Sequence, residues 1–173
     1  MGDSLATLQS ARLHYRTLTM DSHNAVFRQF SDDDMCKYFS DPPCTWDEAA
    51  DIITHYATPN PTKRYARWGM FLDDGTFVGT CGFHFYERDK GQVEIGYDIW
   101  KDHWRNGYGK EAVHALTKYI WQTLDVHTIY ALIHPENSAS LGVARALGFR
   151  ESPLLRETSD GPFVCMALKH VAK

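Results

Sequence analysis

The residues from Gln92 to Leu124 constrain the fold of this chain more than any other stretch of the sequence. Gln92 to Trp100 alternates apolar and polar side chains, which is the period of a β-strand with one buried face. From about Tyr108 to Leu124, apolar side chains recur every three or four residues, which is the period of an amphipathic helix. Two glycines, Gly107 and Gly109, lie at the junction. The sequence therefore predicts a strand, a glycine loop and a helix in succession.

The N-terminal half of the chain shows one strand signal followed by two helix signals. Residues 12–19 alternate enough for a first strand. Asp21 is in position to cap a first helix, and a run of acidic residues ends that helix. Thr45 and Glu48 form the T-x-x-E pattern of a capping box for a second helix, which the proline-containing stretch 58–63 ends.

The other signals lie on either side of the central segment. Asp73, Asp74 and Gly75 separate two apolar runs and form a hairpin signature. A short β-rich run predicts a strand over 128–134, and further signals predict a helix that ends before Gly148 and a last strand over 162–170. This order predicts an α/β (mixed α+β) protein. We expect a mixed sheet, antiparallel first and parallel later, with helices on both faces.

Composition and charge limit the classes of protein that the chain can belong to. The sequence has 173 residues, of which 43% are hydrophobic and 23% charged, so we expect one globular domain over residues 1–173. A net charge of −4 argues against a broad nucleic-acid surface. No apolar run reaches the roughly 18 residues of a membrane helix, and the first residues do not resemble a secretory signal. We expect a cytoplasmic protein that binds neither nucleic acid nor a membrane.

The cysteines predict neither disulfides nor metal binding. Cys36, Cys44, Cys81 and Cys165 form no CxxC pair, and no histidine pair has the spacing of zinc ligands. We interpret them as reduced, mostly buried thiols, which fits a cytoplasmic protein. Cys165 lies in an apolar run and is expected to be structural rather than catalytic.

The glycine loop is a candidate phosphate site. Glycine lets a backbone approach a phosphate closely, and a helix N-terminus adds positive potential. Lys101, Arg105 and Lys110 add local positive charge in a chain that is acidic overall. A Walker loop is excluded, because no GxxxxGK[ST] motif is present.

Two phosphate ligands remain open from the residues alone, coenzyme A and a nicotinamide dinucleotide. Gly107 to Ala112 reads G-x-G-x-x-A, which is a dinucleotide fingerprint. That fingerprint directly follows its strand, however, because the first glycine makes the turn off the strand end. Here residues 101–106 intervene, and this disfavours the dinucleotide.

Several short motifs occur in one order between residues 94 and 149. They are E-I-G-Y at 94–97, W-x-x-G-x-G-x-E-A at 104–112, N-x-x-S at 137–140 and L-G-F at 147–149. Together they resemble the GNAT acetyltransferase superfamily, and in particular its RimJ/RimL-like branch. The resemblance implies a central mixed, largely antiparallel sheet with helices on both faces. It also implies acetyl-CoA as the co-substrate and an amine as the acetyl acceptor.

The resemblance also implies which residues hold the cofactor. The glycine loop would bind the pyrophosphate mainly through main-chain N–H groups. The strand edge from Ile95 to Ile99 would pair with the two amides of the pantetheine arm, as a further strand would. Asn137 would bind the arm near the sulfur and can cap its helix as well. The predicted cofactor-binding residues are Ile95, Tyr97, Ile99, Trp104, Arg105, Asn106, Gly107, Tyr108, Gly109, Lys110 and Asn137.

Acetylation needs a neutral amine, and Glu94 is the first candidate for removing the proton, directly or through a water. Strand alternation puts Glu94, Gly96 and Asp98 on the face opposite the apolar one, and Asp98 is the second candidate. Histone acetyltransferases of the same superfamily have a base at the strand position that matches Glu94.

Ser140 is the candidate donor to the departing thiolate. The wider superfamily often has a tyrosine acid four residues before the glycine of L-G-F, but Ala144 stands there. The oxyanion would be bound by a backbone N–H near Tyr97 and Asp98. We expect direct attack in a ternary complex, without an acyl-enzyme intermediate.

The acceptor side is less well specified by the sequence. The acceptor could be the α-amine of a protein N-terminus, as in ribosomal-protein acetyltransferases, or a small-molecule amine. Asp32 to Asp34 could attract a cationic peptide or polyamine, although a solvated turn is the simpler interpretation. Six aromatic residues could line an acceptor pocket or belong to the core: Tyr38, Phe39, Trp46, Phe83, His84 and Tyr86. A non-catalytic acetyl-CoA-binding module is the alternative to an enzyme, and a homodimer is plausible for the family.

Overall fold

The computed structural model describes residues 7–57, 64–155 and 161–170, and its seven strands form one sheet in the order β1-β2-β3-β4-β5-β7-β6. The strands are β1 (His14–Thr17), β2 (Ala66–Phe71), β3 (Phe77–Glu87), β4 (Gln92–Ile99), β5 (Thr128–Ile133), β6 (Arg150–Ser152) and β7 (Val164–Lys169). The helices are α1 (His23–Ser31), α2 (Asp33–Cys36), α3 (Trp46–Tyr56), α4 (Tyr108–Thr123) and α5 (Ser138–Ala146).

The sheet is mixed and largely antiparallel, which confirms the fold class. Within the described residues, β4 and β5 form the one parallel pair, and the other five pairings are antiparallel. The expectation of a parallel second half is therefore wrong. The reason is that β7 returns antiparallel between β5 and β6, and β6 is a three-residue strand whose signal is too short to detect in the sequence.

The N-terminal helices differ from the prediction in their caps. Asp21 does not cap α1, because it lies in a 3₁₀ turn over Met20–Ser22, and Ser22 is the N-cap. The acidic run ends α1 as expected, but it also begins α2. The side chain of Asp32 accepts hydrogen bonds from the N–H groups of Asp34 and Met35, which is the pattern of an N-cap.

The other local signals are confirmed. The capping box of α3 is present, because Thr45 accepts from the N–H of Glu48 and Glu48 accepts from the N–H of Thr45. The hairpin between β2 and β3 turns at Asp73 to Gly75, and α4 covers nearly all of the predicted helix. The stretch 58–63 that was predicted to end α3 lies outside the described residues.

Helices cover both faces of the sheet, as predicted. Buried residues of α4 share one core with Val93 and Ile95, so α4 lies against the apolar face of β4. On the opposite face, Gln29 of α1 donates a hydrogen bond to Thr80 of β3 over 3.1 Å. Thr80 is paired in register with Asp98, so α1 lies on the face that carries the polar side chains of β4.

The parallel strands β4 and β5 pair only over a short stretch. Gln92 to Glu94 pairs with Thr128 to Tyr130, and no pairing follows beyond Glu94 within the described residues. On its other side, β4 stays paired with β3 as far as Ile99. The edge of β4 from Ile95 to Ile99 is therefore unpaired, and a cleft opens between β4 and β5.

All four cysteines are free, and Cys36, Cys81 and Cys165 are buried. Burial raises the pKa of Cys81 to about 12, so its thiol stays protonated near neutral pH. Within the described residues, no helix is long and apolar enough to span a membrane, and no three metal-ligating side chains cluster.

Candidate active site

The cleft between β4 and β5 opens into a cavity of about 530 Å³. Its walls come from α2 and the loop after it, the end of β4, the loop that leads into α4, and the start of α5. Three predicted site residues, Glu94, Ile95 and Asn106, do not line it. The predicted site residues that do line it are Tyr97, Ile99, Trp104, Arg105, Gly107, Tyr108, Gly109, Lys110, Asn137 and Ser140.

The loop before α4 presents donors to this cavity. Arg105 and Gly107 have φ angles of 63° and 80°, in the left-handed region, and so turn the chain sharply into the helix. Within the described residues, the N–H groups of residues 105–110 have no hydrogen-bond acceptor. A set of free N–H groups at a helix N-terminus is suited to bind a phosphate. Asn106 has another role, because its amide donates to the carbonyls of His103 and Trp104 and braces the loop.

A residue that the sequence did not indicate, Arg12, also holds this loop. Its Nη1 donates to the carbonyl of Asn106 over 3.0 Å, and its Nε donates to Glu111 over 2.7 Å. Burial alone would raise the pKa of Glu111, but hydrogen bonds from Arg12 and Ser10 outweigh burial and lower the pKa. The glutamate of the W-x-x-G-x-G-x-E-A motif thus anchors the loop to the N-terminal segment.

Lys101, expected to add positive charge near the glycine loop, is paired with two aspartates. Its Nζ lies 2.6 Å from a carboxylate oxygen of Asp32 and 3.1 Å from one of Asp34. The hydrogen bond from Lys101 is the main reason that the pKa of Asp32 is lowered. Asp33 and Asp34 are exposed, as expected for a solvated turn, but Lys101 ties Asp32 and Asp34 to the segment between β4 and the glycine loop.

Trp104 lines the cavity beside the end of β4. Its Nε1 donates to the carbonyl of Ile99 over 2.7 Å, while half of the residue is exposed. The carbonyl of Ile99 already has this partner, so the main chain from Ile95 to Asp98 offers the remaining groups of the strand edge.

A second set of contacts joins β4 to α5 across the cleft. The side chain of Asn137 accepts from the N–H of Ser140 over 3.1 Å, which confirms Asn137 as an N-cap. The hydroxyl of Tyr97 donates to the carbonyl of Ser140 over 3.2 Å. Burial raises the pKa of Tyr97 to about 12, so this phenol remains a donor. A hydrogen bond between the side chains of Tyr97 and Ser140 acts against burial and lowers the pKa of Tyr97, but burial outweighs it.

Glu94 lies outside the cavity. Its side chain is 7% exposed, and its Oε1 lies 3.2 Å from Nε2 of His84. His84, one of the six residues that could line an acceptor pocket or belong to the core, is therefore the partner of the candidate base. Glu94 and Asp98 are four positions apart on the strand, a distance of roughly 13 Å at about 3.3 Å per residue. From this position Glu94 would reach an amine near Asp98 only through water.

The six candidate aromatic residues fall into different places. Tyr38 and Phe39 line the cavity, and the Tyr38 ring stacks on His134, with 5.2 Å between ring centroids. Phe83 is fully buried in the core, and Trp46 packs on Phe27 of α1. Tyr86 lines a second cavity, of about 620 Å³, that contains none of the predicted site residues. Only part of the aromatic set therefore belongs to the cleft.

Comparison with known proteins places the chain in a family. Residues 12–150 match the model of the acetyltransferase (GNAT) domain, so the chain belongs to the GNAT acetyltransferase family. The uncharacterized N-acetyltransferase p20 of Bacillus licheniformis is 30% identical over 155 residues, which cover 88% of this chain and 87% of that protein. The protein is thus an acetyl-CoA-dependent acetyltransferase, as the motifs imply.

Two solved structures share the fold. Spermidine N-acetyltransferase from Vibrio cholerae, in complex with CoA and spermine, has a TM-score of 0.78 at 16% identity, covering 91% of this chain and 95% of that one. RimL, a ribosomal-protein α-N-acetyltransferase in complex with coenzyme A, has a TM-score of 0.78 at 16% identity, covering 92% and 95%. These likenesses establish the fold, and membership of the RimJ/RimL-like branch stays a prediction.

Proposed function

We propose that this protein transfers the acetyl group of acetyl-CoA to a primary amine by direct attack in a ternary complex. One observation carries the proposal. The unpaired edge of β4 and the free N–H groups before α4 line one continuous cavity. An acyl carrier with a pyrophosphate at one end and two amides along its arm matches both features.

The cofactor would lie along the side of the cleft formed by α4 and α5. Its pyrophosphate would bind the N–H groups of residues 105–110, with Arg105 and Lys110 at the rim. Its pantetheine arm would pair with the main chain from Ile95 to Asp98, against the side chains of Tyr97 and Ile99. Asn137 uses its oxygen in the helix cap, so its amide N–H₂ remains to bind the arm.

The chemistry follows from this placement. A backbone N–H near Tyr97 and Asp98 would stabilise the oxyanion as the amine nitrogen bonds to the thioester carbon. Glu94, with His84 beside it, would take the amine proton through water. The carbon–sulfur bond then breaks, and the hydroxyl of Ser140 would donate a hydrogen bond to the leaving thiolate. Parallel lines in initial-rate plots would instead indicate an acyl-enzyme and contradict direct attack.

The acceptor is a protein N-terminus or a small-molecule amine in this proposal. Both kinds of acceptor occur among proteins with this fold, since one solved structure holds spermine and another belongs to a ribosomal-protein acetyltransferase. We also keep the cytoplasmic location and the homodimer as predictions. Gel filtration with light scattering would measure the oligomeric state.

The first experiment is thermal unfolding of the protein with acetyl-CoA, with NADPH and without ligand. A ligand at 100 times its Kd stabilises the native state by about 2.7 kcal/mol, which gives a clear shift in Tm. We expect acetyl-CoA alone to raise Tm. Acetylation of an amine and peptide panel would follow, measured as release of the free thiol. A shift with NADPH alone would contradict the proposal, and acetyl-CoA binding without acetylation would identify a non-catalytic module.

A further inference from the structure

Four side chains from four elements meet on the polar face of the sheet. The Nη1 of Arg67 on β2 lies 3.0 Å from Oδ2 of Asp98 on β4 and 3.0 Å from the hydroxyl of Thr80 on β3. The Thr80 hydroxyl also accepts from Gln29 of α1 and lies 3.5 Å from the same Asp98 oxygen. We call Gln29, Arg67, Thr80 and Asp98 the polar cluster.

Two aromatic rings and the main chain of β4 lie around the Arg67 guanidinium of the polar cluster. The guanidinium of Arg67 lies 5.6 Å from the ring centroid of Phe30 on α1 and 5.6 Å from that of Tyr56 on α3. Gly96 lies below it, where an added Cβ would come within 3.2 Å of Nη2 of Arg67. The absence of a side chain at Gly96 therefore makes room for the guanidinium.

Stability is a weak reason for such an ion pair. The side chains of Arg67 and Asp98 are only 11% and 16% exposed, so both charges lose most of their hydration. The desolvation of a buried pair often cancels its Coulomb attraction, and apolar residues of similar volume stabilise a core equally well. A buried pair that fixes one carboxylate beside a binding cleft therefore points to a role in binding.

Asp98 is the member of the polar cluster that reaches the cleft. It lines the cavity together with Asp34, Tyr38 and Phe39, from α2 and the loop after it. Because side chains alternate along β4, Asp98 faces the side opposite to Tyr97 and Ile99, where the cofactor is proposed to lie. Within the described part of the chain, its side-chain hydrogen bonds use Oδ2 alone, which leaves Oδ1 for a ligand.

We propose that Asp98 binds the ammonium group of the arriving acceptor, and that Arg67 is a positioning residue that acts through Asp98. This inference rests on the proposed function. An amine reaches the cleft mostly protonated, because the pKa of a primary amine lies above neutral pH. A fixed carboxylate beside the oxyanion donor would hold that amine next to the thioester. The acceptor is thus an amine that binds in its protonated, cationic form. Arg67 holds the carboxylate of Asp98 in the orientation that faces the acceptor.

The test compares Asp98→Asn, Arg67→Met and Arg67→Lys with wild type, using spermidine and a peptide with a free α-amine as acceptors. We expect the acceptor KM to rise about tenfold in Asp98→Asn and Arg67→Met, the size of one charge-assisted hydrogen bond. The KM for acetyl-CoA and kcat should stay within about twofold. Arg67→Lys should recover part of the loss, since it keeps the charge but not the planar fork.

A matched control separates positioning from folding. Arg16 is another strand arginine that lies over an aromatic ring, Phe71, and it does not line the cavity. Arg16→Met should leave the acceptor KM unchanged. Added salt should raise the wild-type acceptor KM and have little effect on that of Asp98→Asn. Should Arg67→Met fail to fold, Asp98→Asn and Arg67→Lys still decide the question.

Three different results would contradict three different parts of this account. An unchanged acceptor KM in Asp98→Asn, with an active wild type, overturns this inference and leaves the proposed function intact. A raised acceptor KM in Asp98→Asn but not in either Arg67 variant overturns the role of Arg67. A wild type that binds acetyl-CoA but acetylates no member of the amine and peptide panel overturns the proposed function, and this inference with it.

Discussion

The two sides of the cleft are built in different ways. The side where we propose that the cofactor binds consists mostly of main chain from one continuous segment. Within the described residues, its N–H groups over 105–110 have no acceptor and its strand edge over 95–98 is open. The side where we propose that the acceptor binds consists of side chains from distant segments, such as Asp34, Tyr38 and Asp98. Main-chain groups can bind the pyrophosphate and amides that every CoA ester shares, whereas side chains can differ from one enzyme to the next. The class of cofactor could therefore be predicted from the sequence, whereas the identity of the acceptor could not.

The largest effect that we predict concerns proton removal on the acceptor side. Glu94→Gln should lower kcat about a hundredfold, the usual contribution of a general base, and should leave the Kd of acetyl-CoA unchanged. Steady-state kinetics and calorimetric titration measure the two quantities. The control is Glu87→Gln, at the end of β3, where the glutamate is bonded to Lys90 and Gln92 instead. An unchanged kcat would remove Glu94 from the mechanism.

The next effect tests the cofactor side through its backbone. Gly107→Val places a β-branched residue at a φ of 80°, where a Cβ would also lie 3.4 Å from Nη2 of Arg12. We expect the Kd of acetyl-CoA to rise at least about tenfold, which corresponds to about 1.4 kcal/mol. Gly75→Val carries similar strain at a φ of 85°, in open space on the β2–β3 turn. Equal loss of affinity in both variants would show a general effect of strain rather than a phosphate site.

A smaller effect on the Kd of acetyl-CoA should follow when the glycine loop loses a supporting contact but keeps its own sequence. Arg12→Met removes the hydrogen bonds of the guanidinium to Asn106 and Glu111. Since the Arg12 side chain is 50% exposed, we expect a loss of stability below about 1 kcal/mol and a several-fold higher Kd for acetyl-CoA. The acceptor KM should not change. Arg88→Met removes an exposed pair with Asp125 and serves as the control. A Kd equal to that of wild type would show that the loop keeps its shape without Arg12.

The smallest effect concerns the contact between the two sides. The pKa of Asp32 is lowered, mainly by the hydrogen bond from Lys101. A lowered pKa gives stability that is present above the ordinary pKa of aspartate, about 3.9, and is lost as the pH falls through the folded-state pKa. Asp32→Asn keeps the cap of α2 but removes the charge. We expect Tm to fall by at most a few degrees at neutral pH, and the difference from wild type to shrink in acid.

Asp33→Asn is the control for this last variant, because it removes a neighbouring charge that is not bonded to Lys101. Thermal unfolding over a pH series gives the measurement. A difference between Asp32→Asn and wild type that stays constant below pH 4 would contradict the assigned cause.

Local features of the fold were predicted well where neighbouring residues decide them. Three predicted features depend on contacts within a few positions of the chain. They are the hydrophobic period of residues 92–124, the capping box at Thr45 and Glu48, and the N-cap at Asn137. The prediction that Asp21 caps α1 was wrong, because a 3₁₀ turn contains Asp21 and the helix begins after that turn. The strand β6 was missed, because its three residues become a strand only by pairing with β7.

The sequence by itself determined the period of the central strand and helix, the glycines that turn the phosphate loop, and the motifs that indicate acetyl-CoA. The tertiary structure decided which charges meet. Arg67 and Asp98 are 31 positions apart, Lys101 and Asp32 are 69 apart, and Arg12 and Glu111 are 99 apart. The physical reason is the sequence separation over which each kind of interaction acts. Backbone periodicity and caps act over about one turn of chain, whereas an ion pair depends on where the sheet brings two distant segments together.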